Sequence, residues 1–264
     1  QIMNTQTNLE ITTTLRIKSI QNMAVEINSV LKRHKALSTD AIRKQGELSC
    51  AITNISHDLR TPLTSISGYL QMLGNDKVSS LTDEKRSEYL NIVERRIESV
   101  RKLLDDLLVF TRLGSGEYPI SLERINLSNK VRDVLSLYYD DFVRKGVSPV
   151  VEIPDAVWAK CDANAIERVL LNLFSNAIRY GQEDLHVSLE SGKSVLLVVS
   201  NSAPLLTEAD AAKLFDRFYS GEHKAGGVGL GLSIAYGLTT KMNGTLTSRY
   251  KDGVLSIMVE FPPC

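Results

Sequence analysis

The sequence is short of several residue types, and each shortage excludes a class of protein. Only three of the 264 residues are cysteines, spaced too widely for a disulfide framework or a zinc site, which predicts a reducing compartment. The 31 basic residues only balance the 31 acidic ones, so the basic excess typical of nucleic-acid-binding proteins is missing. The longest uncharged run, residues 225–240, is too short to span a bilayer, and no segment is typical of a signal peptide. A hydrophobic content of 43% still suffices for a buried core.

Proline and glycine divide the chain into two parts of different character. Residues 1–113 hold one proline, whereas residues 114–264 hold the other six and most of the glycines. The Gly-Ser-Gly sequence at 114–116 directly follows a helical pattern and is typical of a flexible break. We therefore expect four regions: a helical linker over 1–47, a helical hairpin over 48–113, a hinge over 114–119 and a separate domain over 120–264.

The apolar residues of the first part recur every three or four positions, as on one face of a helix. Residues 20–41 form a weak coiled-coil seam, which His34 interrupts. Stronger patterns over 48–73 and 89–110 predict two long helices, and Gly74 suits the end of the first. A lone hairpin cannot bury stripes this wide, so we expect a homodimer in which two hairpins form a four-helix bundle.

The second part alternates strand patterns with helical ones. Strands are predicted over residues 120–127, 149–153, 157–160, 185–190, 194–200, 245–250 and 254–261, the last two joined by a turn at 251–253. Helices are predicted over residues 127–145, 163–180 and 228–242. Helices on one side of a mixed sheet form an α+β two-layer sandwich, so the expected fold is an all-α hairpin followed by such a sandwich.

A proline lies inside the first long helical pattern. Pro62 removes a main-chain hydrogen bond there at a cost of about 3 kcal/mol, so we expect a bend one turn after His57. His57 lies outside the apolar seam and is expected to face solvent. Asp58 can accept the proton of one ring nitrogen, which leaves the other as a neutral nucleophile. Taken alone, such a pair is more often an ordinary surface histidine flanked by charges.

The residues around His57 indicate a function more specifically than His57 and Asp58 do by themselves. Residues 56–63 read Ser-His-Asp-Leu-Arg-Thr-Pro-Leu, followed by Thr-Ser-Ile. This string resembles the phosphoacceptor box of bacterial two-component sensor histidine kinases, whose pattern is Ser-His-Glu/Asp-Leu-Arg/Lys-Thr/Asn-Pro-Leu. The resemblance implies that His57 accepts a phosphoryl group and that Asp58 is its general base. It also implies that Thr61 aligns the water that dephosphorylates a partner protein, and it adds Arg60 to the catalytic set.

Two asparagines lie four positions apart on the helix predicted over 163–180. The amide oxygens of Asn172 and Asn176 can ligate a hard cation such as Mg²⁺. Arg179 follows on the same side, where it could reach a phosphate. By themselves, polar residues on one helical face are more often a solvated surface.

Residues 226–231 contain four glycines directly before a predicted helix. Glycines let the main chain approach a phosphate closely, and a helix N-terminus supplies free N–H groups. A tight turn with close helix packing is the alternative. A Rossmann dinucleotide site is excluded because no strand immediately precedes the glycines.

In order and spacing, these elements resemble the N, F and G2 boxes of the ATP-binding domain of the same kinases, with the F box at residues 214–219. The resemblance implies ATP and Mg²⁺ as cofactors, Mg²⁺ ligation by Asn172 and Asn176, and a γ-phosphate contact from Lys224 on a flexible lid. The nucleotide-binding set that it implies is Asn172, Asn176, Arg179, Tyr180, Asn201, Lys224, Gly227, Gly229 and Gly231. It further implies a response-regulator receiver domain as the partner. Because the chain opens with Gln1, we also expect a cytoplasmic portion of a longer, membrane-anchored sensor.

The adenine-binding box departs from the family pattern. Where the family has Asp-x-Gly-x-Gly, residues 201–205 read Asn-Ser-Ala-Pro-Leu. Asn201 keeps a carbonyl acceptor but loses the charge, and a charge-assisted hydrogen bond is roughly twice as strong as a neutral one. On these grounds we expect weakened ATP recognition, and we expect Asn201→Asp to tighten it.

Two other functions are weighed against the kinase. Related gyrase- and chaperone-type ATPases have a water-activating glutamate where this chain has Asn172, so transfer to a histidine is favoured over plain hydrolysis. The altered adenine box leaves a signalling scaffold or phosphatase with weak nucleotide binding as the second alternative. The expected function is ATP-dependent autophosphorylation of His57, followed by phosphotransfer to an aspartate of a response regulator.

Overall fold

The structure is a computed structural model that describes residues 18–74, 82–181, 184–216, 219 and 229–263. Within the first helix, the side chains of residues 40–52 and of a few residues near them are outside the described set. The chain divides into two units, Gln1–Ile52 and Thr53–Cys264, each described by itself.

Two long helices form the first part of the chain. Helix α1 spans Lys18–Leu73, and helix α2 spans Asp83–Ser115. The hydroxyl of Thr82 caps α2 by accepting a hydrogen bond from the main-chain N–H of Lys85, and Gly116 ends it in the left-handed conformation (φ 81°). Among the helices in the described ranges, none is both long enough and apolar enough to cross a membrane.

The two helices contact each other in the second unit and leave an apolar stripe exposed. The rings of Tyr69 on α1 and Tyr89 on α2 lie 5.2 Å apart, measured between their centroids. Val93 on α2 is buried. Within the second unit, the described large apolar side chains that remain exposed on the two helices are Leu63, Leu70, Met72, Leu90, Ile97, Leu104 and Leu108. One hairpin therefore leaves much apolar surface in solvent, as expected of half a four-helix bundle.

Two sheets form the strand layer of the second part. Strands β1 (Glu123–Asn126) and β3 (Trp158–Cys161) form a two-stranded antiparallel sheet. The five-stranded sheet has the order β2-β4-β5-β7-β6, and these strands span Val150–Glu152, Leu185–Ser191, Val195–Ser202, Val254–Phe261 and Thr245–Lys251 respectively. Strand β2 is parallel to β4, and all other neighbours are antiparallel, so the sheet is mixed, as predicted.

Helices pack on this sheet and close the core. In chain order they are α3 (Leu127–Ser136), α4 (Tyr139–Lys145), α5 (Ala163–Tyr180), α6 (Glu208–Ala211) and α7 (Gly231–Lys241). Along β5, every second side chain is buried, which gives the sheet one core face. That core contains the fully buried side chains of Leu170, Phe174, Leu197, Ile234 and Leu238. The predicted α+β two-layer sandwich is confirmed.

Two predicted helices differ from the structure, and one observed helix was not predicted. The helix predicted over 127–145 is split into α3 and α4. At the break, the N–H groups of Leu137 and Tyr138 donate to carbonyl oxygens three residues earlier, and the hydroxyl of Tyr138 donates to the carbonyl oxygen of Leu171 on α5. The helix predicted from residue 228 begins at Gly231, since Gly229 has a positive φ of 70° that no α-helix allows. The short helix α6 was not predicted. The turn predicted at 251–253 is present, with positive φ at Asp252 and Gly253.

Candidate functional site

His57 lies on α1 with its ring in solvent. Its side chain is 75% exposed and that of the neighbouring Asp58 is 23% exposed. The Nδ1 atom of His57 lies 3.0 Å from Oδ1 of Asp58. Because a carboxylate only accepts hydrogen bonds, the contact assigns the proton of the neutral ring to Nδ1 and leaves the lone pair of Nε2 free. The outward orientation and the carboxylate contact that the sequence predicts are both present.

The rest of the phosphoacceptor box lies on the same helix. Helix α1 runs unbroken through Pro62, whose side chain is buried. The hydroxyl of Thr61 lies 3.4 Å from the main-chain carbonyl oxygen of His57, which places it one turn further along the helix. Arg60 is exposed and lines a shallow groove along the helix, together with Ser56, Leu59, Leu63, Thr64 and Ser67. Polar groups therefore lie within one turn of His57.

Asn172 and Asn176 lie one turn apart on α5, as predicted, but they differ in burial. Asn172 is only 6% exposed, whereas Asn176 is partly exposed. The amide oxygen of Asn172 faces the first residue of α7, because a β-carbon on Gly231 would lie 3.3 Å from it. The Nδ2 atom of Asn172 is buried without a hydrogen-bond partner. A buried amide group without a hydrogen-bond partner lowers the stability of the fold by about 1–3 kcal/mol. Such a group in a native structure calls for an explanation, and a bound ligand that accepts a hydrogen bond from Nδ2 would supply one.

These groups fit a magnesium–nucleotide complex. Side-chain amide oxygens are the hard donors that Mg²⁺ accepts, and Asn172 and Asn176 place two of them on one side of α5. The side chain of Leu230, the residue before α7, does not cap the helix, so among the described residues its first N–H groups are left to face a phosphate. The absence of a side chain at Gly231 keeps the space between α5 and α7 open.

The end of α5 forms the other boundary of the candidate site. Arg179 and Tyr180 are exposed there, with the guanidinium carbon of Arg179 5.8 Å from the centre of the tyrosine ring. Gly181 ends the helix, and a β-carbon on it would lie 2.3 Å from the carbonyl oxygen of Ala177 and 3.2 Å from Nδ2 of Asn201. Sequence reasoning missed Gly181. Its signal was a glycine directly after the predicted helix end.

Asn201 lies at the end of β5 rather than in a loop, and it is 4% exposed. Its Nδ2 atom donates a hydrogen bond to the carbonyl oxygen of Ser202 at 3.1 Å. The next residue, Ala203, is held by the β6–β7 hairpin: its N–H donates to the carbonyl oxygen of Gly253 at 2.7 Å, and its carbonyl oxygen accepts from the hydroxyl of Tyr250 at 3.3 Å. Both main-chain polar groups of Ala203, in the altered adenine box, are therefore hydrogen-bonded to the β6–β7 hairpin.

Part of the predicted phosphate-binding segment lies outside the described residues, namely Lys224 and Gly227. Of the described residues, Gly229 has a left-handed conformation and Gly231 begins α7. In the F box, the ring of Phe215 stacks on that of Tyr236 on α7, with 5.9 Å between centroids. Phe215 of the F box thus packs against the helix that follows the glycines.

The F-box residue Tyr219 is anchored to helix α6. Its hydroxyl donates a hydrogen bond to the carboxylate of Asp210, and the hydroxyl of Thr207 donates to the same group at 2.6 Å. Thr207 and Asp210 also form a capping box at the start of α6. The hydrogen bond from Thr207, followed by that from Tyr219, lowers the pKa of Asp210 below its ordinary value. This anchor was not predicted, although the order Thr-x-x-Asp is a capping signal.

Comparison with known proteins agrees with both parts of the chain. The family model described as His Kinase A (phospho-acceptor) domain matches residues 48–116. The model described as Histidine kinase-, DNA gyrase B-, and HSP90-like ATPase matches residues 161–263. Together the two models cover more than half of the chain. The sensor histidine kinase YcbM of Bacillus subtilis is 27% identical over 241 residues, which are 88% of this chain and 77% of that protein. The chain spans between 26% and 65% of the length of other curated relatives.

Solved structures share the fold. The histidine kinase AdeS of Acinetobacter baumannii matches with a TM-score of 0.63 and 24% identity over 78% of this chain and 98% of that one. The histidine kinase ThkA, solved in complex with the response regulator protein TrrA, matches with a TM-score of 0.61 and 20% identity over 85% of this chain and 64% of that one. A phosphoacceptor domain followed by an ATP-binding domain places this chain in the family of two-component sensor histidine kinases, which are protein-histidine kinases.

Proposed function

We propose that this chain phosphorylates His57 with ATP and then passes the phosphoryl group to an aspartate of a response regulator. The observation that carries the proposal is the contact between Nδ1 of His57 and Asp58. It leaves the exposed Nε2 atom as the nucleophile, on a helix that follows the phosphoacceptor pattern at every position of the box.

The transfer is a single in-line displacement. The lone pair on Nε2 of His57 forms a bond to the γ-phosphorus as the bond from that phosphorus to the β,γ-bridging oxygen breaks, and ADP leaves. Asp58 takes up the Nδ1 proton, so the ring does not retain the positive charge. Because the protein needs no covalent chemistry beyond this, positioning and charge stabilisation supply most of the catalysis.

The ATP-binding domain supplies the charge stabilisation. Asn172 and Asn176 would hold Mg²⁺, which offsets the negative charge of the phosphates when bound. The N-terminus of α7 would bind the phosphates, and Asn201 would accept a hydrogen bond from the adenine amino group. The resemblance to the kinase family implies that Lys224 would contact the γ-phosphate. Arg179 and Tyr180 lie at the open end of α5, where a phosphate or ribose would enter.

The response regulator is the proposed partner, and the complex of ThkA with TrrA supports it for a kinase of the same fold. After transfer, Thr61 would align the water that hydrolyses the phosphorylated regulator. Residues 1–47 would connect the chain to a membrane-embedded sensor at the cytoplasmic face of the plasma membrane. Fractionation of the full-length protein with membranes tests this placement, and recovery in the soluble fraction would exclude it.

We also propose that the chain is a homodimer, because the exposed apolar stripe on α1 and α2 matches half a bundle. Ile97→Asp puts a charge in that stripe and is expected to give a monomer by light scattering. Arg96→Asp introduces the same side chain at an exposed polar position next to it and should leave the dimer intact.

Incubation of the purified chain with γ-labelled ATP and Mg²⁺ tests the central proposal. We expect label that is acid-labile and alkali-stable, lost completely in His57→Gln and retained in His186→Gln, which removes the partly exposed histidine of β4. Asp58→Asn should slow labelling about 100-fold, since a positioned base contributes this much or more. An unlabelled chain that releases phosphate would indicate an ATPase, and an unlabelled chain that leaves ATP intact would indicate a scaffold.

A further inference from the structure

We infer that Tyr138 and Lys145, at the two ends of α4, are positioning residues for the magnesium–nucleotide complex, because they hold the main chain of α5 from its outer side. This inference rests on the proposed function, since it takes α5 as the helix that binds the metal and the nucleotide. Neither side chain belongs to the site predicted from the sequence.

The two residues contact α5 at matched positions. The hydroxyl of Tyr138 donates to the carbonyl oxygen of Leu171 at 3.1 Å, and the ammonium group of Lys145 donates to the carbonyl oxygen of Ile178. Each donor lies 33 residues before its acceptor, so the two contacts have the same spacing on both helices. That spacing is about two helical turns. Helix α4 therefore runs beside α5 in the same direction and holds it at two points.

The contact from Lys145 completes the C-terminal end of α5. The last four carbonyl groups of an α-helix have no N–H partner within the helix. The N–H of Gly181 bonds to the first of them at 2.8 Å, and Lys145 bonds to the next, that of Ile178. Its positive charge also stabilises the negative end of the helix dipole. Loss of Lys145 should therefore loosen the last turn, which carries Arg179 and Tyr180.

The contact from Tyr138 lies one residue before Asn172. Burial raises the pKa of the phenol above its ordinary value of 10.0, so the hydroxyl keeps its proton and remains a donor at neutral pH. The ring packs edge-on against Phe174, with 6.4 Å between centroids. The hydroxyl of Ser175 donates to the main-chain carbonyl oxygen of Asn172 at 3.2 Å. The main chain of this turn is thus held by hydroxyl groups, which leaves the amide of Asn172 to the ligand.

A magnesium site depends on such support more than most sites do. Mg²⁺ requires near-ideal octahedral geometry, so its ligands must be placed accurately. Residues that orient metal ligands without touching the metal typically change affinity tenfold or more when they are replaced. We therefore expect Tyr138 and Lys145 to affect nucleotide affinity although neither touches the nucleotide.

Calorimetric titration with Mg²⁺ and ATP tests the inference. Lys145→Met removes the charge and the donor but keeps an unbranched side chain, and we expect about tenfold weaker binding. Lys145→Arg supplies a charged donor again and should recover most of the loss. Arg144→Met is the matched control, because it removes the same charge from the next residue, which pairs with Asp141 of its own helix. Its affinity should stay within about twofold of the wild type.

Two further measurements separate positioning from a general loss of stability. In Lys145→Met, the KM for ATP in His57 labelling should rise while kcat is retained, as expected when only binding is lost. Hydrogen–deuterium exchange over residues 177–181 should become faster in Lys145→Met and stay unchanged in Arg144→Met. Thermal denaturation shows that each variant is folded at the temperature of the titration.

Tyr138→Phe tests the other end of α4. It keeps the ring against Phe174 and deletes only the hydroxyl, and we expect about threefold weaker binding of Mg²⁺ and ATP. If Lys145→Met does not fold, Tyr138→Phe decides the question, and wild-type affinity in it would overturn the inference.

Wild-type affinity in a folded Lys145→Met, or an equal loss in Arg144→Met, would overturn the inference and leave the kinase proposal intact. Failure of the wild type to bind Mg²⁺ and ATP would overturn both.

Discussion

Arg168 on α5 and Asp106 on α2 form an ion pair, with 2.7 Å between a guanidinium nitrogen and a carboxylate oxygen. The pair is well shielded, since the side chains are 26% and 14% exposed respectively. Nearby, Lys241 of α7 donates a hydrogen bond to the carbonyl oxygen of Gly116 at 2.6 Å. The C-terminal end of α2 and the residue that follows it are thereby held against helices α5 and α7.

Reversing this ion pair tests how strongly it holds the two domains together. Asp106→Arg or Arg168→Asp alone places like charges together, and we expect each to lower the melting temperature by a few degrees, because shielded pairs couple by roughly 1 kcal/mol. Each single variant should also speed cleavage by a glutamate-specific protease after Glu117, in the predicted hinge. The double reversal should recover most of both losses.

The exposed pair of Glu98 and Arg101 on the same helix provides the control. These side chains are 63% and 70% exposed, so reversing either should change little. Equal effects at the exposed and the shielded pair, or no recovery in the double reversal, would show that Asp106 and Arg168 do not act together.

Replacing Gly231 should separate nucleotide binding from stability. In Gly231→Ala the added β-carbon meets the amide of Asn172 at 3.3 Å, and we expect about tenfold weaker ATP binding as that amide is displaced. Alanine also favours the helix more than glycine does, so the melting temperature should not fall. Calorimetry and thermal denaturation measure the two effects.

Gly192→Ala is the matched control, since nothing lies within 4 Å of its added β-carbon. If Gly231→Ala bound ATP as tightly as the wild type, Asn172 would not be part of the nucleotide site.

The anchor between Tyr219 and Asp210 should make stability depend on pH in a defined direction. The hydrogen bonds from Thr207 and Tyr219 lower the pKa of Asp210 from its ordinary 3.8. The contribution of the ionised carboxylate to the stability of the fold is therefore complete above pH 3.8, and it is lost as the pH falls through the lower pKa of the folded state. The difference in melting temperature between the wild type and Asp210→Asn should therefore shrink as the pH is lowered from 6 to 3. A difference that is constant over this range would contradict the assignment.

The sequence predicts most of the fold because its apolar periodicity is strong. The pattern over residues 163–180 gives the bounds of α5 without error, since its buried side chains repeat on one face throughout. The break between α3 and α4 could not be predicted in the same way. At the break, Tyr138 contacts Leu171 of α5, which lies more than thirty residues further along the chain and beyond the reach of a local pattern.

From the sequence we predicted which residues form the candidate site more completely than how these residues are arranged in space. The contact between His57 and Asp58 involves neighbours in sequence, so local reasoning found it. The burial of Asn172 and the position of Gly181 beside Asn201 arise only when α5, α7 and β5 pack together. The sequence of each segment by itself predicts neither the burial of Asn172 nor the contact between Gly181 and Asn201.

The most direct test of the central claim is to locate the phosphoryl group on the imidazole ring. The chain, labelled with ATP and then unfolded in alkali, can be examined by proton–phosphorus correlation NMR. Because Asp58 contacts Nδ1, we expect a single phosphohistidine, substituted on Nε2 of His57. Phosphate on Nδ1, or on any other residue, would contradict it.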